Sequence, residues 1–241
     1  MNDILTLEPA RMWRHFYEIS RIPRCSGQEE QVRAYVVSVA EDHGLHHTTD
    51  RAGNLVVKCN ASAGSEDKPV TVLQSHLDMV CEKNKDSRHD FSKAPLALKK
   101  EGEWVSAHET TLGADNGVGV AAALAVLEDP SLTHGPLELL FTVDEESGLT
   151  GARALEADML TGRMLINLDT EEHGTLYIGC AGGRDTELFL DTQWEAVAGG
   201  HPCMRVKVGG LQGGHSGIDI HKHRGNALKL LGRFLWKEAP K

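Results

Sequence analysis

Apolar side chains recur at helical spacing close to the start of the chain, where Met12, Phe16 and Ile19 share one face of residues 11–20 and Pro23 blocks any continuation. A second helix is predicted with Val32, Tyr35, Val36 and Val39 facing inward. Ser26, with Glu29 three positions later, reads as a capping box at its start, and Gly44 marks its end. Residues 54–59 read as extended. Apolar runs of strand length follow at 70–74, 137–143 and 164–168, with a strongly helical stretch over 118–127 between the first two. Strands alternating with helices predict an α/β layer architecture. Beyond about Gly182 the texture changes to strand-like segments at 186–190 and 204–208, a glycine-rich turn and a helix over 226–236. A domain boundary is therefore expected between 1–181 and 182–241, and the polar stretch 61–68 reads as a connector.

Composition narrows the partners more than the fold. At 241 residues with 40% hydrophobic content the chain can bury an ordinary core. Its formal charge of -10 argues against a nucleic-acid groove or an anionic membrane surface and favours a small neutral or cationic substrate. No run reaches the roughly 18 apolar residues of a membrane span, and the first residues are acidic where a secretory signal would be basic, so a cytoplasmic location is expected. Cys25, Cys59, Cys81, Cys180 and Cys203 form no CxxC pair, which points to reduced thiols rather than a disulfide framework or a thiolate metal site.

Candidate chemistry lies where the three apolar strands end. Each runs into acidic or histidine residues, as QSHLD, VDEES and NLDTEE, and open α/β sheets place their sites outside the carboxyl ends of the strands. His76 and Asp78 are two apart, so in extended chain they point to one side, and the carboxylate can accept the proton of the imidazole nitrogen that does not bind a metal. From this tetrapeptide alone, a partly buried His–Asp hydrogen bond without metal is the stronger reading. Asp115 lies in a polar, glycine-bearing loop ahead of the 118–127 helix, where it fits either a metal ligand or a plain N-cap. Glu145 and Glu146 can reach one site only if the chain turns there, as Ser147 and Gly148 permit. One can then ligate metal while the other stays free to move a proton during hydrolysis. Asp169 closes the third strand, with Glu171 and Glu172 as solvated neighbours. His221 and His223 stand at strand spacing but lack a carboxylate cluster, and read as a solvated loop.

Taken together, SHLDMV, TTLGADNGVG, TVDEESG, NLDTEE, GCAGG and GGHSGIDIH resemble, in order along the chain, the aminoacyl-histidine dipeptidases within a wider group of dizinc peptidases and deacylases. The resemblance implies a mixed sheet flanked by helices, with the start of an inserted α+β lid domain that often mediates homodimerisation. It implies two divalent metal ions, zinc first with cobalt or manganese as alternatives. His76 and Asp169 would hold one ion, Glu146 the other, and Asp115 would bridge them. Glu145 would be general base and acid, Asp78 would support His76, and His215 would stabilise the developing oxyanion. It further implies a cis peptide between Asp115 and Asn116, and a small dipeptide, of the Xaa-His type, as substrate.

Relatives of this type run to roughly twice this length and supply a late histidine to the second metal. The 241 residues alone are therefore expected to be weakly active or inactive. An N-acyl amino acid deacylase would share the same ligands, and a non-catalytic remnant would hold one ion or none. Residues 117–122 also fit a loose dinucleotide-binding G-x-G-x-x-A pattern, but a polar loop precedes them where an apolar strand should.

Overall fold

The computed structural model describes residues 3–170, 172–180, 182, 186–196, 199–200, 204–214 and 219–238. The chain divides into two units, Met1–Tyr177 and Ile178–Lys241.

The first unit is built on a five-stranded mixed sheet. Its strands are β1 (His46–Thr49), β2 (Leu55–Cys59), β3 (Thr71–His76), β6 (Leu137–Thr142) and β7 (Met164–Asn167), in the order β1-β2-β6-β3-β7. β3 runs parallel to both β6 and β7, whereas β2 is antiparallel to β1 and β6. A separate two-stranded ribbon joins β4 (Leu98–Glu101) to β5 (Trp104–Ala107). Period-two alternation sorts the core. Leu55, Val57, Leu137, Leu139 and Phe141 pack with the helices α1 (Ala10–Ser20), α2 (Glu30–Asp42) and α3 (Ala114–Glu128). Val56, Val72 and Leu140 face the other side and meet Met159, in the segment after the short helix α4 (Thr150–Ala154).

The inward faces read from the sequence are those that pack: Phe16 and Ile19 on α1, and Val32, Val36 and Val39 on α2, are buried. The capping box is not formed. α2 begins after Glu29 with no side-chain cap, the Ser26 hydroxyl donates to Asp78 Oδ2 at 2.7 Å, and Glu29 Oε1 accepts the backbone N–H groups of Gly27 and Asp144. Both side chains are drawn away from the helix end by partners more than fifty residues distant. The cysteines also depart from expectation, since Cys25 and Cys81 form a disulfide while Cys59 is a buried thiol and Cys180 an exposed one. A short parallel bridge between Cys25 and Met79 brings the two segments together, a juxtaposition that cysteine spacing does not encode.

In the second unit Ile220–Lys222 forms a 3-10 turn, with Asp219 paired to Lys222 and Arg224, and α5 spans Ala227–Glu238. The strands expected at 186–190 and 204–208 are not formed. Leu188, Phe189, Leu190 and Met204 are exposed, and no neighbouring strand satisfies their backbone among the described residues. His221 and His223 are exposed. No helix among the described residues is long and apolar enough to cross a membrane.

Candidate metal centre

Parallel pairing of β3 with β6 and β7 brings three strand ends to one edge of the sheet. His76 is the last residue of β3 and is fully buried. Its Nε2 faces outward to Asp115 Oδ1 at 2.9 Å, Asp169 Oδ2 at 3.7 Å and Glu145 Oε2 at 3.9 Å, while Asp78 Oδ1 lies 3.3 Å from Nδ1 behind the ring. The ligand atoms of His76, Asp115 and Glu146 all lie within 4.8 Å of one another. The sequence-read residues from four separate segments thus converge at one place, with Asp78 beneath them. His215 lies outside the described residues.

Local structure explains how each carboxylate is delivered. After β6 the chain turns at Asp144, whose φ of 53° is left-handed and whose carboxylate accepts the Ser147 and Thr150 hydroxyls. The turn points the backbone N–H groups of Glu145 and Glu146 at Asp78 Oδ1 and Oδ2, at 3.0 and 3.1 Å, so both glutamate side chains project toward His76. Asp115 is not a helix cap. Gly113 occupies that position with φ 67°, Asp115 and Asn116 have non-helical dihedrals, and the peptide between them is cis. The loop also places Asn116, whose amide donates to Asp169 Oδ1 and to the Leu168 carbonyl, both at 3.0 Å, and thereby fixes the third strand's carboxylate.

The electrostatics are those of an anionic cluster around one imidazole. Burial works to lower the His76 pKa, but the Asp115, Asp78 and Asp169 carboxylates outweigh it and push the ring up to about 10. Burial, reinforced by the Asp115 charge, raises Glu146 to about 7 and Asp169 to about 6, and burial also raises Glu145. Asp78 moves the other way. Its burial penalty is outweighed by His76, the Ser26 hydroxyl and the two glutamate N–H groups, which hold it well below the usual carboxylate range. A site that raises several carboxylates together favours either protons or a cation there. One imidazole nitrogen with carboxylate oxygens is a donor set that suits zinc, cobalt or manganese.

A second acidic group, Glu29, Asp78 and Asp144, is equally close-set but differs in its partners. Its oxygens accept the N–H groups of Gly27, Asp144, Glu145 and Glu146 and the hydroxyls of Ser26, Ser147 and Thr150, so protein donors already occupy it. Its work is to shape the turn that carries Glu145 and Glu146. Sequence reading missed the contribution of Asn116 and assigned Ser26 and Glu29 to a helix cap. The only sequence signal for Asn116 was its place beside Asp115.

Comparison with known proteins identifies the family. The model of peptidase family M20/M25/M40 matches residues 72–221, which include the strand ends just described. The chain is 48% identical over 235 residues to the cytosol non-specific dipeptidase of Escherichia coli strain K12, covering 98% of this chain and 48% of that protein. Its fold matches the crystal structure of aminoacylhistidine dipeptidase from Vibrio alginolyticus with a TM-score of 0.74 at 43% identity, over 98% of this chain and 48% of that one. A tripeptidase from Staphylococcus aureus matches with a TM-score of 0.57 at 26% identity, over 67% of this chain and 43% of that one. The chain therefore spans about half the length of the Escherichia coli and Vibrio alginolyticus relatives. With a family match over residues 72–221, more than half of its length, the chain belongs to peptidase family M20/M25/M40.

Proposed function

We propose that these residues form the metal centre of a dipeptidase that uses two divalent cations, zinc first. The observation that carries the reading is the convergence of carboxylates from three other segments on the outward nitrogen of a buried histidine. His76 and Asp169 would hold one ion and Glu146 the other, with Asp115 shared between them. The cations would supply Lewis acidity to the scissile carbonyl and to the attacking water.

The remaining work falls to the protein. Asp78 holds the imidazole from behind, so that Nε2 is the nitrogen presented to the site. Asn116 orients Asp169. Glu145 is partly exposed and its own pKa is raised, which suits a carboxylate that takes a proton from water and returns it to the leaving amine. His215, in the GGHSG motif, is proposed from the family resemblance to stabilise negative charge developing on the carbonyl oxygen. We assign residues 1–181 to the catalytic part and 182–241 to the lid and its homodimer contact. The names of the Escherichia coli and Vibrio alginolyticus relatives favour a dipeptide as substrate, and the name of the second, aminoacylhistidine dipeptidase, favours the Xaa-His type.

Among the described residues the second cation has only Glu146 and the shared Asp115, below the three protein ligands usual for catalytic zinc. The 241 residues are therefore expected to turn over slowly. The test is incubation of the zinc-loaded protein with Xaa-His dipeptides. Slow hydrolysis that is lost on chelation supports the reading. Turnover at an enzyme-like rate overturns the weak second position, and hydrolysis indifferent to chelator overturns the two-metal mechanism.

A further inference from the structure

We propose that Arg24 is a positioning residue for this metal centre, its guanidinium tying the end of β3 to the loop that delivers Asp115. The inference rests on the two-cation reading above. Arg24 is 2% exposed and lies in the connection between α1 and α2, a stretch without the charged strand-end pattern of the candidate ligands. Nη1 donates to the carbonyls of Leu77 and Asp78, at 3.1 and 2.9 Å, and Nη2 donates to the carbonyl of Gly113. The first two carbonyls follow His76 directly, and the third is two residues ahead of Asp115. One planar group thus fixes the spacing between the strand that carries His76 and Asp78 and the loop that carries the shared carboxylate.

Burial of a guanidinium is costly unless its donors are well placed, and an apolar side chain could fill the same space without that cost. Neighbouring residues grip the same segment. The Arg24 carbonyl accepts the Met79 N–H at 3.1 Å, Cys25 is disulfide-bonded to Cys81, and Ser26 donates to Asp78 Oδ2. The opposite wall is cut back to admit the guanidinium: a Cβ at Gly113 would come within 2.5 Å of Nη2, and one at Gly117 within 2.7 Å. Lysine keeps the charge but has a single nitrogen, which cannot reproduce a fork spanning two chain segments.

Charge and geometry pull in opposite directions, which makes the role testable. A buried cation near Asp78, Asp115 and Glu146 opposes metal binding electrostatically, so simple repulsion predicts tighter binding once the charge is removed. Positioning predicts weaker binding even when the charge is kept. The experiment titrates Co2+ into the metal-free protein, reading the visible absorption band and the Kd against a competing chelator, for wild type, Arg24→Lys, Arg24→Met and Gly117→Ala. Val36→Ala, a truncation in the buried face of α2, serves as the stability control. Apo-protein Tm is recorded for each.

Arg24→Lys and Gly117→Ala should weaken Co2+ binding by about tenfold or more and alter the band, as loss of an outer partner of a metal ligand does. Val36→Ala should lower the apo Tm while leaving the affinity within about twofold. Wild-type affinity in Arg24→Lys, tighter binding in Arg24→Met, or an equal loss in Val36→Ala would overturn the proposal. Should Arg24→Lys fail to fold, Gly117→Ala decides, because it displaces the guanidinium without removing it; unchanged affinity there is fatal to the idea. Wild-type protein that takes up no Co2+ sinks the two-cation reading and this inference with it, whereas normal uptake by the variants sinks the inference alone.

Discussion

Asp78 touches no proposed cation, yet its replacement by asparagine should weaken metal binding as much as many ligand changes would. The carboxylate accepts N–H groups from Glu145 and Glu146 on its two oxygens, accepts the Ser26 hydroxyl, and faces His76 Nδ1. Asparagine has the same shape but only one acceptor oxygen. Ser26 can rotate its hydroxyl to accept from the new amide, so that contact survives. One of the two glutamate N–H groups cannot adapt and is left facing an NH2, at a cost of about 1–3 kcal/mol for a buried unpaired group. His76 meanwhile exchanges an ionised partner for a neutral one, and charge-assisted contacts are about twice as strong as neutral ones. The combined effect on the first metal should be a 10- to 100-fold rise in Kd, about 1.4–2.7 kcal/mol, typical of losing the partner of a metal-binding histidine. Zinc competition against a chromophoric chelator at pH 7 measures it. An Asp78→Asn protein that folds and binds zinc with wild-type affinity would refute the idea that the residue orients the imidazole.

Further outcomes follow from the same geometry. Glu146, Asp169 and His76 bind protons more tightly folded than unfolded, so in the metal-free protein their contribution to stability falls as pH rises through about 6 and 7, and for His76 on toward about 10. Metal uptake at pH 7 should therefore release protons and tighten as pH rises through about 6 and 7 and on toward about 10; calorimetry in buffers of different ionisation enthalpy reads this, and zero release would contradict the shared site. Glu145→Gln should leave zinc binding nearly intact but reduce whatever dipeptide turnover the protein shows by at least about 100-fold, and a comparable loss of zinc instead would make Glu145 a ligand. Reduction of Cys25–Cys81, which closes a loop with a sequence separation of 56, should destabilise the protein by up to about 4 kcal/mol; an unchanged Tm in reductant would argue that the bridge is not formed in solution.

The parts of this fold legible in the sequence were those whose signal is local and periodic. The apolar strands β2, β3, β6 and β7 and the inward faces of α1 and α2 follow from spacing alone. β1 could not be read, because His46–Thr49 is polar and mostly exposed, and its strand character comes from pairing with β2. The ribbon β4–β5, with its two lysines and exposed Trp104, is equally silent. His76, Glu145, Glu146 and Asp169 were legible because strand ends concentrate them, whereas Asp115, in a loop, and the assignment of ligands came from the family resemblance, and the supports of these residues were not legible. Ser26 and Glu29 have the spacing of a capping box and serve instead as partners of Asp78 and of the Asp144 turn. Asp115 has the setting of a cap while Gly113 takes that position. Arg24, Asn116 and the cysteine pair act across 50 residues or more, and no periodicity reports such contacts. In 186–190 and 204–208 propensity alone predicts strands, but strand formation needs a partner, and the described residues provide none there.

The most direct measurement is a crystal structure of the zinc-soaked protein with anomalous data collected above and below the zinc edge. The account predicts two peaks about 3.5–4 Å apart, one against His76 Nε2 and Asp169, the other against Glu146, with Asp115 between them. A single peak among Glu29, Asp78 and Asp144, or no peak beside His76, would contradict it.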